Sequence, residues 1–278
     1  MRFDFLAIDG APGCKDRNLD RVVIPLSDGT ATVDASFGLL NKVPYLIFDL
    51  AQGDIRTVTK KMDDFDLAWV LRSMHESSVG LQQLHSIGIA HQDIKPSNVL
   101  VFKEKGIKLS DLGRASHSKI ISEMDAFPIP GDIGYAAPEQ FYDFHIADDF
   151  SYRYITDLFH LGSLLFFFFL NCSATHAISL KLSESHSTEF TNTNFLQDLP
   201  YIQHAFSQVL LDLEKAITLF AGDLTQPIVE IIKQLCEPDP RRRGNPKVFS
   251  SAYIPQYDLQ VFISRFDLLA HKAELRIQ

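Results

Sequence analysis

Cysteine is scarce in this sequence. Its three cysteines, Cys14, Cys172 and Cys236, lie far apart and form no C-x-x-C pair. That spacing argues against a disulfide framework and against a zinc cluster, and it fits a reducing, cytoplasmic setting. A basic excess is missing too: 26 Lys+Arg face 35 Asp+Glu, a net charge of −9. A general nucleic-acid binder needs a basic face, so no nucleic-acid partner is expected. No secretory apolar segment can form where Met1-Arg2-Phe3-Asp4 gives way to Gly10 and Pro12. The most apolar run, Leu158 to Leu170, contains His160. It falls short of the roughly 20 residues a membrane helix needs. It is expected to be a helix buried on all sides of a large core, with no membrane partner. There is no internal repeat.

What is present is ordinary globular material. With 278 residues, 46% hydrophobic and 22% charged, the chain suits one large domain or two small ones and is not wholly disordered. Residues 21–27 and 43–50 are rich in β-branched and aromatic residues and predict strands, with turns at Asp28-Gly29 and Phe37-Gly38. Ala51-Gln52-Gly53-Asp54 breaks the pattern and reads as a linker. From Phe65 to about Ile87, Leu67, Val70, Leu71, Met74, Leu81 and Leu84 keep helical spacing up to Gly88. Val99–Phe102 and Gly106–Leu109 predict a hairpin. Beyond residue 150 the chain reads as mostly helical, apart from a Ser/Thr-rich surface loop over 173–199. Pro227 to Cys236 predicts a helix stopped by Pro238-Asp239-Pro240.

The chemistry is concentrated in short polar stretches. His91-Gln92-Asp93-Ile94-Lys95-Pro96-Ser97-Asn98 sets an acid, a cation and an amide between the long helix and the hairpin. The hairpin then delivers a second acid in Ser110-Asp111-Leu112-Gly113. Two acids on neighbouring loops can converge on one point. Phosphoryl transfer needs such a set: one acid for the hydroxyl nucleophile, an acid and an amide for Mg²⁺, and a lysine for the charge on the phosphoryl group.

These motifs resemble the protein kinase superfamily, whose pattern runs H-R-D-L-x-x-x-N, D-F-G and A-P-E. Here the counterparts are His91 to Asn98, Asp111-Leu112-Gly113 and Ala137-Pro138-Glu139, in that order. Asp157 with Gly162 on the apolar helix, and Asp239-Pro240-Arg241-Arg242-Arg243, extend the likeness, which runs from about residue 19 to about residue 246. The resemblance implies an α+β kinase-like fold with a reduced β N-lobe and a mainly helical C-lobe. Residues 1–53 would be a partial N-lobe (end of its helix, two strands and the hinge), and 54–278 the C-lobe with its insertion at about 173–199. It also implies a serine/threonine-type kinase using ATP and Mg²⁺ on a protein substrate. Asp93 would be the catalytic base and Lys95 would contact the γ-phosphate, while Asn98 and Asp111 would hold Mg²⁺. Phe48 would be the gatekeeper, Leu50 and Ala51 the hinge groups for adenine, Asp54 the ribose contact and Leu100 the floor. His91 and Asp157 would support the catalytic loop, and Glu139 would pair with a buried Arg243.

Departures from the pattern carry their own expectations. Gln92 stands where the family has Arg, so a phosphate on Ser116, Ser118 or Ser122 would gain no ion pair there, and activation by such phosphorylation is not expected. Leu112 replaces Phe and keeps an apolar plug. Asp132 stands where Ser/Thr kinases usually have Thr, and it would pair with Lys95. No G-x-G-x-x-G or V-A-I-K precedes the recognisable strands, and no Glu precedes Glu76. Phe3 to Ile8 would be the tail of the N-lobe helix, and Gly10 to Lys15 a turn rather than a phosphate loop. The N-lobe thus reads as truncated, with an adenine floor and hinge but no roof, and ATP affinity should be weak. The alternatives are a pseudokinase or interaction module that binds a protein partner without chemistry and, less favoured, a small-molecule phosphotransferase.

Overall fold

The computed structural model describes residues 19–32, 42–146, 150–185, 194–247 and 255–276. The expectations for Phe3 to Ile8, Gly10 to Lys15 and the Phe37-Gly38 turn lie outside these residues.

The first sheet is a hairpin of β1 (Ser27–Thr32) and β2 (Lys42–Ile47). The strand expected over 21–27 therefore lies later. Pro25 has no N–H to give a ladder, and before it only Val22 forms a bridge, parallel to Leu109. Asp28 and Gly29 are not a turn; they lie within β1, opposite Leu46 and Tyr45. The strand expected to reach residue 50 ends at Ile47. The linker at 51–54 is partly ordered, since β3 (Gly53–Asp54) pairs with Val101 and Leu100.

A short helix α1 (Ile55–Thr59) leads to α2 (Leu67–Ser86), whose N-terminus is capped by the Asp66 carboxylate accepting from Trp69 N at 2.9 Å. The apolar positions of α2 turn inward as their spacing predicts, and Leu71, Met74, Leu81 and Leu84 are fully buried. Glu76 on its outer side accepts from Ile107 N at 2.7 Å and pairs with Arg21 at 2.8 Å, tying the chain before β1 to α2 and to the next hairpin. After β4 (Ile89–Ala90) that hairpin forms as expected: β5 (Val99–Phe102) and β6 (Gly106–Leu109) are antiparallel, with Val99 opposite Leu109. β7 (Ser116–His117) returns to pair with β4.

The C-terminal half is helical: α3 (Ser151–Leu170), α4 (Ala174–Ser185), α5 (Phe195–Ala221), α6 (Thr225–Leu235) and α7 (Gln260–Glu274). α3 is long and apolar enough to cross a membrane, but most of it is buried within the fold. Every residue from Arg153 to Phe166 is buried, against α2, α5 and α6. Gly162 permits the closest approach: a Cβ there would lie 2.5 Å from Cys236 Sγ and 2.8 Å from Leu235 Cβ. The Ser/Thr-rich loop expected over 173–199 is corrected, because α4 fills much of it and α5 begins at Phe195. The helical signal was masked rather than missing. Ser173 Oγ accepts from His176 N at 3.0 Å, and Ala174, Ala177, Ile178 and Leu182 keep a buried stripe between the hydroxyls. α6 starts two positions before Pro227, and Pro238 follows its end.

Candidate active site

The catalytic loop runs from His91 to Asn98, out of β4 and into β5 through a 3-10 turn at Pro96–Asn98. Its shape is imposed by one carboxylate from α3. Asp157 Oδ2 accepts from His91 N at 2.8 Å and Asp157 Oδ1 from Gln92 N at 2.7 Å. Gln92 adopts a left-handed conformation, with φ of 62°, which costs a side-chain-bearing residue about 1–2 kcal/mol. The two amide bonds from a fully buried acid offset that cost. Burial opposes ionisation of Asp157. The imidazoles of His160 and His85 outweigh burial and hold its pKa well below the usual carboxylate range. His85 Nε2 lies 2.9 Å from Asp157 Oδ2, and His160 Nδ1 lies farther off, at 3.9 Å from Oδ1. His91 is fully buried, and burial lowers its pKa. Its Nε2 donates to Ser110 O at 3.0 Å while its Nδ1 accepts from Asp93 N at 3.4 Å, an arrangement that only the neutral ring satisfies.

The next three polar residues interlock. Asp93 Oδ1 accepts from Asp132 N at 2.8 Å. Asp93 Oδ2 accepts from Asn98 Nδ2 at 3.0 Å and lies 3.1 Å from Lys95 Nζ. Gly131 makes this packing possible, since a Cβ there would meet Gln92 O at 2.4 Å and Asp93 Oδ1 at 2.9 Å. Lys95 also reaches Asp132 Oδ2 at 3.3 Å, the pair expected from the sequence. Partial burial disfavours the charged lysine, but the hydrogen bonds and charges of Asp93 and Asp132 prevail and raise its pKa. Lys95 is therefore a fixed cation shared by two acids.

The hairpin brings the metal-ligand candidates together. Asn98 O accepts from Ser110 N at 2.9 Å, so Asn98 and Asp111 leave the open end of the β5–β6 ladder on adjacent strands. Asp111 is exposed and left-handed, with φ of 59°. Its carboxylate accepts a single long bond from Gly113 N at 3.3 Å, which leaves oxygen lone pairs available. A carboxylate and an amide oxygen are hard donors of the kind Mg²⁺ takes, with phosphate oxygens and waters completing its shell. Among the described residues no three His, Cys, Asp or Glu side chains are grouped so that they could hold a metal ion.

Among the residues expected to meet adenine, Gln52 N donates to Val101 O at 2.8 Å, so the 51–54 segment runs along β5 beside the half-buried Leu100. Phe48 is exposed and Leu50 is 96% exposed. Asp54 is committed locally: it caps α1 through Thr57 N at 2.9 Å and pairs with Arg56 at 2.7 Å. Farther out, Glu139 and Arg243 form a buried bidentate pair at 2.6 and 2.7 Å. Of its two neighbours, Arg241 pairs with Asp239 at 2.8 Å and Arg242 is exposed.

Sequence reasoning missed Arg153, which lies one turn before Asp157 on α3 and reaches the Gln92 side chain. The signal was available: residues four apart on a helix share a face.

Comparison with known proteins identifies the family. The protein kinase domain family matches residues 32–254. The chain is 39% identical over 127 residues to ribosomal protein S6 kinase 2 alpha of Xenopus laevis, covering 44% of this chain and 17% of that protein. The same identity, length and coverage hold for ribosomal protein S6 kinase alpha-1 of Homo sapiens. Ribosomal protein S6 kinase 2 beta of Xenopus laevis is 41% identical over 96 residues, 34% of this chain and 15% of that protein. The chain thus spans less than a fifth of the length of these curated relatives. The extent of the family match and the interlocked catalytic loop together place the chain in the protein kinase domain family.

Proposed function

We propose that this chain moves the γ-phosphoryl group of Mg-ATP to a serine or threonine hydroxyl of a protein. The observation that carries this reading is the Asp93–Lys95–Asn98 interlock, with Asp111 at the next strand end. Asp93 orients and accepts the proton of the acceptor hydroxyl through its buried carboxylate. Lys95 offsets charge on the transferring phosphoryl group. Asn98 and Asp111 would hold Mg²⁺, which when bound bridges phosphate oxygens and neutralises their charge. Leu100 would be the adenine floor, with Leu50 and Ala51 as hinge groups and Phe48 as gatekeeper. Asp54 could reach a ribose only by loosening its cap on α1. A lysine two positions past the catalytic acid supports the Ser/Thr type. The relatives' names give a protein as acceptor, and a protein acceptor is proposed here on that likeness. A reducing, cytoplasmic compartment follows from the cysteine pattern.

Incubating the chain with Mg-ATP and Ser/Thr peptides should transfer phosphate to serine or threonine and raise the melting temperature. Transfer to tyrosine alone would overturn the Ser/Thr assignment. Neither transfer nor a thermal shift would leave the second reading, a partner-binding module without chemistry. The observation favouring that reading is the diversion of Lys95 by Asp132.

That diversion has a measurable size. The Asp132 side chain is 41% exposed, so solvent screens the pair and releasing Lys95 is worth about 0.2–1 kcal/mol. Asp132→Thr should therefore raise the transfer rate by about 1.5- to 5-fold. An unchanged or lower rate would show that Asp132 does not restrain Lys95.

A further inference from the structure

The geometry around Gln92 points to a built-in anchor for the activation segment, the stretch from Asp111 to Glu139. We propose that Arg153 is a positioning residue that fastens this segment to the catalytic loop, with the Asp125 carboxylate in the place an added phosphate would take. The segment is then ordered without phosphorylation. The inference deepens the kinase reading, on which only its kinetic arm rests.

Four side chains close a ring. Arg153 Nη1 donates to Gln92 Oε1, and Arg153 Nη2 lies 3.3 Å from Asp125 Oδ1 and 3.3 Å from Asp125 O. Asp125 Oδ1 accepts from Ser116 Oγ, which in turn accepts from Gln92 Nε2 at 2.6 Å. Asp125 Oδ2 takes Ser122 N at 2.7 Å, and Gln92 Nε2 also meets Arg114 O at 3.1 Å. The carboxylate thus has a guanidinium, a hydroxyl and a backbone amide, the set of donors that an ordering phosphate recruits.

The charge has been relocated rather than lost. Gln92 is neutral and cannot hold an anion by itself. Arg153 supplies the cation from α3, stacked over Tyr152 at 4.9 Å and buried. It shares a helix face with Asp157, so α3 holds the backbone of Gln92 with one residue and its side chain with another. Ser116 is fully buried and already donates to Asp125, which leaves no room for a phosphate on that hydroxyl.

The test is hydrogen exchange across residues 114–127, which requires no catalysis. In the intact chain, exchange there should be slow and unaffected by phosphatase. Asp125→Asn and Arg153→Ala should each speed it by about 5- to 50-fold, with α5 and α6 unchanged and the double variant no faster than either single one. If Arg153→Ala fails to fold, the more exposed Asp125→Asn and Asp125→Glu carry the test, and Asp125→Glu should restore most of the protection. In the active protein the KM for the protein acceptor should rise more than kcat falls. Wild-type exchange in the single variants, additive effects in the double, or loosening by phosphatase would each overturn the proposal. An inactive chain that shows the exchange pattern would remove the kinase reading and leave the anchor standing.

Discussion

Asp93→Asn should slow phosphate transfer by about 10²- to 10⁴-fold, the usual worth of a positioned general base. The substitution keeps size and removes charge. Asp132 N still finds an acceptor at the Oδ1 position, where it now donates at 2.8 Å, and Asn98 Nδ2 loses its bond at the Oδ2 position but keeps the one to Asp93 O at 2.8 Å, so the loop should keep its shape. What is lost is the oxygen that takes the hydroxyl proton and one of the two acids holding Lys95. Binding of Mg-ATP should change little, because Asn98 and Asp111 remain, so the loss should appear in kcat. Steady-state rates on a variant with an unchanged melting temperature check this. A rate within about threefold of the parent chain, worth less than ~1 kcal/mol, would remove Asp93 as the base.

The largest expected loss of stability is at Arg243. Its guanidinium is completely buried and meets both oxygens of Glu139, along with Glu237 O at 2.9 Å and the Phe159 ring at 5.1 Å. Arg243→Met leaves the Glu139 carboxylate buried with no cation, and breaking such a pair costs about 3–5 kcal/mol. Replacing both partners tests the reason. A Glu139→Leu, Arg243→Met double variant leaves no stranded charge and should recover most of the loss, since a buried pair is worth little against apolar groups of equal size. Urea unfolding of the two singles and the double supplies the comparison. A single-variant loss below about 1 kcal/mol would mean that water reaches the stranded charge.

How much of this was legible in the sequence differs by element. The β5–β6 hairpin emerged with its expected ends because two apolar runs were separated by Lys103-Glu104-Lys105. α2 was legible from its buried stripe and Gly88. The catalytic loop could be read because its residues are close in sequence and their roles depend on short offsets. Pro25 displaced β1, and Ser and Thr within α4 hid a stripe of only a few apolar positions. Asp54 was read as a nucleotide contact, whereas the cap it makes to Thr57 is a local competitor that the motif does not express. The Arg153 network was the least legible part. Its members come from β7, the activation segment, the catalytic loop and α3, and no spacing rule connects them.

The dependence of the catalytic loop on Asp157 also sets an order of assembly. Residues 91–98 contain the reactive groups but not the acid that holds Gln92 in its left-handed turn, and the cation for Glu139 comes roughly a hundred positions after it. Contacts so distant along the chain form late, after the local helices and hairpin. A ribosome making this protein N-terminus first must therefore release most of the C-terminal half before the site can take shape. On the kinase reading proposed above, a nascent chain would have no assembled site until α3 and Arg243 had emerged.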